Sequence, residues 1–264
     1  MPDSLVGSTA IISGGLGDIG RAIALDLAVR GADIAIGDLL DQDRASALLS
    51  DLKRMGRKAR YDRVDVSYAD QVQEWLTKVE RAMAVPDLVI PNAAVVNPAD
   101  IRTLAPGQWA RELQVNLNGA FYLAQAGALA MLRKGIPGRI VFVGSWEGHA
   151  PQIDTPSLCV SKAAIRMLCQ CMALDLAPDG ILVNEVSPGY VDAGVSRRIF
   201  SERPDSRSRA VSEVPVGGLA APDEVAWQVA HLCSPENRQM SGAVILMDGG
   251  LSLVRGRNWK REPE

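Results

Sequence analysis

Two groups of residues in this chain have types and spacing suited to chemistry. The first is Gly14-Gly15-Leu16-Gly17-Asp18-Ile19-Gly20, between an apolar run and an amphipathic segment. Read from Gly15, it spells G-x-G-x-x-G. Glycines at this spacing allow a tight turn. They let backbone N–H groups approach a diphosphate, and they let a helix pack closely on a strand. Asp38 ends the next apolar run. A carboxylate there accepts hydrogen bonds from a ribose diol and repels a 2′-phosphate, which points to NAD rather than NADP. The second group surrounds Ser145, which follows the apolar run 139–143. Its hydroxyl is expected at the carboxyl edge of a sheet, where open α/β sheets bind ligands. Thr155-Pro156 reads as an N-cap and first helical residue, so Leu158 and Lys162 lie one turn apart on one helix face. A lysine near a helix start is not helped by the helix dipole and needs a partner. Glu147 and His149 are expected to face the same region, and both side chains can move protons.

These residues need a scaffold, and the sequence alternates strand and helix signals throughout. Strands are expected at 9–13, 33–37, 59–64, 87–90, 139–143, 181–186 and 243–247. Helices are expected near 41–55, 68–84, 106–133, 156–177 and 222–233. This alternation predicts a doubly wound parallel α/β sheet with helices on both faces. On helix 156–177, the residues Val160, Ala164, Met167, Cys171 and Leu174 form a stripe expected to be buried. Residues 188–221 read as a long connection carrying Arg197, Arg198, Arg203, Arg207 and Arg209, as in a substrate lid. The reading is therefore one domain over 1–254, with 188–221 as an inserted lid and a polar tail at 255–264.

A chain of 264 residues, 47% of them hydrophobic, can bury the core of one large α/β domain. A net charge of −3 gives no basic excess for nucleic acid. No targeting or membrane-crossing stretch is read, and the chain is expected in the cytoplasm. Cys159, Cys169, Cys171 and Cys233 lack C-x-x-C spacing, so no metal site is expected and the cysteines read as small buried hydrophobes.

Over nearly its whole length the sequence resembles the classical short-chain dehydrogenase/reductase family. Ser13–Gly20 is similar to the family's T-G-x-x-x-G-x-G coenzyme turn. Asp65-Val66 resembles its adenine-contacting pair, and Asn92-Ala93-Ala94 its N-A-G. Asn116 falls on the catalytic asparagine, Ser145 on the serine that holds the substrate oxygen, and Lys162 on the lysine that binds the nicotinamide ribose. Pro188-Gly189 and Met247-Asp248-Gly249-Gly250 match the later P-G and D-G-G. The resemblance implies a Rossmann-type sheet of seven strands in the order 3-2-1-4-5-6-7. It implies hydride transfer between NAD and a small alcohol or carbonyl compound. It also implies a homo-dimer or homo-tetramer packed through helices 106–133 and 156–177. The coenzyme site it implies comprises Gly14, Leu16, Asp18, Ile19, Asp38, Asp65, Val66, Asn92, Lys162, Pro188 and Val191; the catalytic set is Asn116, Ser145 and Lys162.

One departure dominates. The family's catalytic tyrosine lies four residues before the lysine, and here that position is Leu158. Leucine cannot exchange a proton with a substrate oxygen. Ordinary carbonyl–alcohol chemistry is therefore impaired, or its acid/base is relocated to His149 or Glu147. The alternatives are a coenzyme-binding member without turnover, or a chain substituted at 158. Tyr190 is a third proton-bearing side chain expected near the nicotinamide. Ala193 stands where a threonine often meets the nicotinamide amide. Asp18 replaces the middle glycine of the turn and is expected to point away from the diphosphate, capping the helix start.

Overall fold

Seven strands form one parallel sheet in the order β3-β2-β1-β4-β5-β6-β7. The strands are β1 (Thr9–Ser13), β2 (Asp33–Asp38), β3 (Ala59–Arg63), β4 (Leu88–Ile90), β5 (Gly138–Val143), β6 (Ile181–Pro188) and β7 (Val244–Met247). The chain was analysed as a computed structural model that describes residues 4–202 and 204–254; Arg203 and the tail 255–264 fall outside the described residues, as does the side chain of Arg198. Central strands read as continuous apolar runs because both faces are covered. Successive side chains alternate between two cores. Ile11, Ile140 and Phe142 pack on one side, while Ile12, Val141 and Val143 pack on the other.

The first core is covered by α1 (Asp18–Val29), α2 (Ser46–Arg54) and α9 (Pro222–Cys233). The second lies under α3 (Ala69–Ala82), α5 (Ala120–Lys134) and α6 (Pro156–Leu176). The register pairs Ser13 with Gly37 and Val143 with Val186, so the strands end together along one edge. Most residues named above as functional lie at that edge or in a segment leaving it; Leu158 and Lys162 are on α6, and Asn116 lies between α4 and α5.

Three expectations need correction. The helix 106–133 is not continuous. It is α4 (Pro106–Leu113), a π-helical turn over Gln114–Gly119, and α5. The connection 188–221 is not without regular structure, since it holds α7 (Gly194–Glu202) and α8 (Pro204–Glu213). The α6 stripe is not buried. Val160 is 47%, Met167 60% and Leu174 83% exposed, and the buried face instead carries Ser157, Ser161, Lys162, Ile165, Cys169 and Ala173. Periodicity gave the two faces of α6 but not which one meets the sheet.

That outward apolar face also gives residues 156–179 the length and hydropathy of a membrane span, contrary to the expectation of none. Their packing is nonetheless that of a sheet-covering helix, through Ile165, Cys169, Ala173 and Leu176. The cysteines divide: Cys169 and Cys233 are buried, Cys171 is exposed and Cys159 is half-buried. Among the described residues no group of His, Cys, Asp and Glu is arranged to hold a metal ion.

Candidate active site

The glycine-rich turn is held from three sides. Gly14 takes a φ of +63°, and a Cβ there would lie 2.8 Å from Ala93 Cα. A Cβ on Gly20 would overlap the Gly14 carbonyl oxygen and reach 2.8 Å from Gly15 Cα. Glycine at 20 therefore lets α1 start directly against the turn, where its first N–H groups, at Asp18 and Ile19, have no intrahelical partner. Asn92 fixes the turn from β4. Its Nδ2 donates to the carbonyls of Ser13 (2.9 Å) and Gly14 (3.0 Å). Asp38 closes the third side: Oδ2 accepts from Leu16 N at 3.1 Å and Oδ1 from Leu40 N at 3.3 Å.

Asp18 points away from the turn as expected, but it does not cap α1. Oδ2 accepts from Gly194 N at 2.8 Å and pairs with Arg197 at 3.2 Å, joining the turn to α7. Arg197 and Arg207 also converge on Asp192, at 3.5 and 3.3 Å. Arg197 therefore serves the lid's own fold.

Further along the edge, Asp65 accepts from the backbone N–H and hydroxyl of Ser67 and pairs with Arg111 at 3.1 Å. Burial raises its pKa, but these donors outweigh burial and hold the carboxyl below its ordinary value. Val66 is buried against Gly119, where a Cβ would come within 2.8 Å of its Cγ2. Asn116 sits inside the π-helical turn, fully buried. Its amide is doubly bonded to Val95: Oδ1 accepts from N and Nδ2 donates to O, both at 2.8 Å. Pro188 ends β6, and Val191 is buried and bridges to Ala220.

Ser145 is half-buried at the end of β5, and its Oγ accepts from Glu147 N at 3.2 Å. Lys162 is 5% exposed and donates from Nζ to the Val143 carbonyl at 2.7 Å. Burial lowers its pKa to about 8, against the pull of Glu185 and Glu147. Leu158, half-buried, places no ionisable atom beside them.

The three proton-bearing candidates differ. The Glu147 carboxylate accepts from Thr155 Oγ1 at 2.6 Å and lies 3.8 Å from Cys159 Sγ, on the first turn of α6. Burial raises its pKa despite those bonds and the nearby Lys162 charge. His149 is exposed, with both ring nitrogens engaged: Nε2 with Ser187 Oγ at 3.3 Å and Nδ1 with Arg166 Nη1 at 3.0 Å. Partial burial and the Arg166 charge lower its pKa. Tyr190 packs edge-on to Trp146, ring centroids 5.3 Å apart, and burial pushes its phenol up to about 12. Of the three, only Glu147 has both an acid range shifted toward neutrality and a place beside the Leu158 turn.

A family model described as enoyl-(acyl carrier protein) reductase matches residues 15–252. Cis-4-hydroxycyclohexanecarboxylate dehydrogenase of Sinomonas cyclohexanicum is 31% identical, over 96% of this chain and 100% of that one. The chain belongs to the short-chain dehydrogenase/reductase family. This dehydrogenase/reductase also resembles an L-rhamnose 1-dehydrogenase (NAD(P)(+)) of Sphingomonas sp. strain SKA58, at 28% identity over 94% of this chain and 97% of the relative. Among solved structures, a gluconate 5-dehydrogenase from Burkholderia cenocepacia in complex with NADP and tartrate superposes with a TM-score of 0.89. It is 28% identical and covers 95% of this chain and 97% of its own. The family assigns the chain to the nicotinamide-dependent oxidoreductases.

Within this dehydrogenase/reductase, sequence reasoning missed Glu185, Ser187, Gly144, Arg166 and Thr155, which all bear on the site. The signal for Glu185 was available: it is a charged residue inside the apolar run of a central strand.

Proposed function

We propose that the chain is an NAD-dependent short-chain oxidoreductase whose acid/base group has moved off position 158. The observation that carries this reading is the coenzyme cradle. Gly14, Gly20, Asn92 and Asp38 are arranged around the start of α1 as a dinucleotide requires, with a carboxylate where a 2′-phosphate would lie. The residues that would hold NAD are Gly14, Leu16, Ile19, Asp38, Asp65, Val66, Asn92, Lys162, Pro188 and Val191. Asp18 contributes its backbone N–H while its carboxylate serves the lid. When bound, the coenzyme supplies a hydride acceptor or donor at its nicotinamide ring.

The chain's own residues do the rest. Ser145 orients the substrate oxygen. Lys162 presents its ammonium to the ribose hydroxyls. Glu147 exchanges the proton, its carboxyl pKa raised by burial. The buried Asn116 amide keeps the π-helical turn open next to Val95. Relatives named for a hydroxycyclohexanecarboxylate and for sugars support a small hydroxylated compound as substrate.

Leu158 itself favours a second reading, a coenzyme-binding member without turnover. Fluorescence titration with NADH, then turnover of the parent chain and its Leu158→Tyr and Glu147→Gln variants over an alcohol panel, separates the two. Turnover in the parent that is lost in Glu147→Gln supports the relocated acid. Binding with turnover gained only in Leu158→Tyr supports the second reading. No binding of either coenzyme by folded protein removes both.

A second copy of this chain is the proposed occupant of the outward face of α6. Val160, Met167 and Leu174 are exposed there, as are Leu129 and Leu132 on α5, and a symmetric partner would cover such apolar side chains.

A further inference from the structure

Glu185 is the least expected side chain in the sheet. It lies on β6, paired with Phe142 on one side and Val244 on the other, and is 1% exposed. A buried carboxylate is costly unless it is paired or hydrogen-bonded. Room for it comes from Gly144, the residue before Ser145: a Cβ there would overlap Glu185 Oε1 and lie 2.8 Å from Ser187 Oγ. The carboxyl occupies the volume that a side chain at 144 would fill.

The hydrogen bonds around it run in one direction. Arginine can only donate, so Arg166 Nη1 donates to His149 Nδ1. The neutral imidazole then carries its proton on Nε2 and donates to Ser187 Oγ, which donates to Glu185 Oε1. Each donor points inward, toward the carboxyl. This polarity suits an ionised Glu185, which only accepts. The chain does not relay protons as it stands, because Arg166 cannot resupply His149.

Glu185 Oε2 remains buried without a hydrogen-bond partner among the described residues. On the other side of the deficit, Lys162 is a buried ammonium whose one recorded acceptor is the Val143 carbonyl, leaving donors to spare. Its Nζ sits on the carbonyl of Val143, next to the Gly144 that Glu185 Oε1 faces, so the two charges lie near one another. Burial raises the Glu185 pKa, and Ser187, Lys162 and Arg166 oppose that rise, while Glu185 and Glu147 both favour the charged form of Lys162. Cys169, also on α6, feels the Glu185 charge.

The geometry points to Glu185 as a positioning residue: its buried carboxylate, held by Ser187 in the space left by Gly144, is the counter-ion that keeps Lys162 protonated where no phenol stands beside it. The inference rests on the proposed role of Lys162 but is tested without coenzyme. The chain has six lysines, so side-chain ¹³Cε resonances of lysine-labelled protein can be resolved, with Lys162→Met giving the assignment. In the parent, burial lowers the Lys162 pKa to about 8, and the titration midpoint is expected there. Glu185→Gln is expected to move that midpoint down by about one unit, a tenfold change in the acid constant. Glu147→Gln should move it less. Ser187→Ala, which removes the carboxylate's donor, should also lower it, and this variant carries the test should Glu185→Gln not fold. A midpoint unmoved in the folded variant, or moved upward, overturns the proposal. NADH titration of the same samples reports separately on the coenzyme reading: loss of NADH binding in the parent with the lysine shift intact would fault the function, not the counter-ion.

Discussion

Asp18, on the first turn of α1, holds Arg197 of the lid at 3.2 Å and the Gly194 N–H at 2.8 Å. The residue that departs from the glycine pattern thus fastens α7 to the glycine-rich turn. Both partners are partly exposed, at 54% and 39%, so the pair adds little to global stability. Asp18→Ala should change unfolding free energy by less than about 1 kcal/mol. It should still increase hydrogen exchange over 194–213 and speed coenzyme release. Equal exchange in variant and parent would remove the latch.

The proposed preference for NAD rests on Asp38. Its carboxylate is fixed by Leu16 and Leu40 at the end of β2, where it would repel a 2′-phosphate. The parent should bind NADH at least about tenfold more tightly than NADPH, a difference of roughly 1.4 kcal/mol. Asp38→Ala should narrow or reverse that ratio in paired fluorescence titrations. A parent that prefers NADPH would refute the assignment.

Position 158 should respond to restoration. Leu158→Tyr returns a phenol one turn before Lys162, and general acid–base catalysis is worth roughly 10²–10⁴-fold. We expect kcat to rise by about 10²-fold or more on secondary alcohols, with NADH affinity little changed. Steady-state turnover beside binding on the same panel makes the check.

The buried lysine leaves a signature in stability. Its pKa falls from 10.5 to about 8 on folding. Between those values the unfolded chain binds more protons than the folded one, so stability rises with pH across that window. Below about pH 8 both states hold the proton, and the full cost of burying the charge is present. Relative to Lys162→Met, the parent should therefore gain stability from pH 8 to pH 10.5 in urea titrations. A parallel pH course for the two proteins would contradict the burial argument.

The outward face of α6 should govern assembly. Met167→Asp and Leu174→Asp together place two charges on apolar surface that is 60% and 83% exposed in the single chain. Light scattering coupled to size exclusion should find the parent dimeric or tetrameric and the double variant monomeric and folded. A monomeric parent would leave that face without its proposed partner.

All seven strands and their order were legible in advance. Continuous apolar runs such as 139–143 have few alternatives, and the strand order followed from family resemblance. The glycine-rich turn was legible because its glycines are steric requirements, as Gly14 and Gly20 demonstrate. Three features were not. Residues Pro204–Glu213 are charged and lack an apolar stripe, so α8 was hidden within a polar connection. The π-helical turn was invisible because Val115 and Leu117 continue an apolar pattern on either side of Asn116. On α6 the periodicity was plain but its orientation was reversed, since the helix turns inward the polar face that carries Ser157, Ser161 and Lys162 into the site. Glu185 and Gly144 were missed for a related reason. Each is ordinary alone, and only their proximity across β5 and β6 makes them a pair.

The widened turn at Gln114–Gly119 has a geometric effect beyond its asparagine. A wide turn takes up one extra residue and slips the angular phase of everything after it by about 100°. Before the slip, α4 sends Glu112 inward, to accept from Ser157 at the foot of α6; after it, α5 sends Leu123, Ala124, Gly127 and Met131 inward against the strands. One rod of backbone thereby braces the reaction centre with its first half and roofs the sheet with its second. A strictly regular helix of the same sequence would have to surrender one of those two tasks.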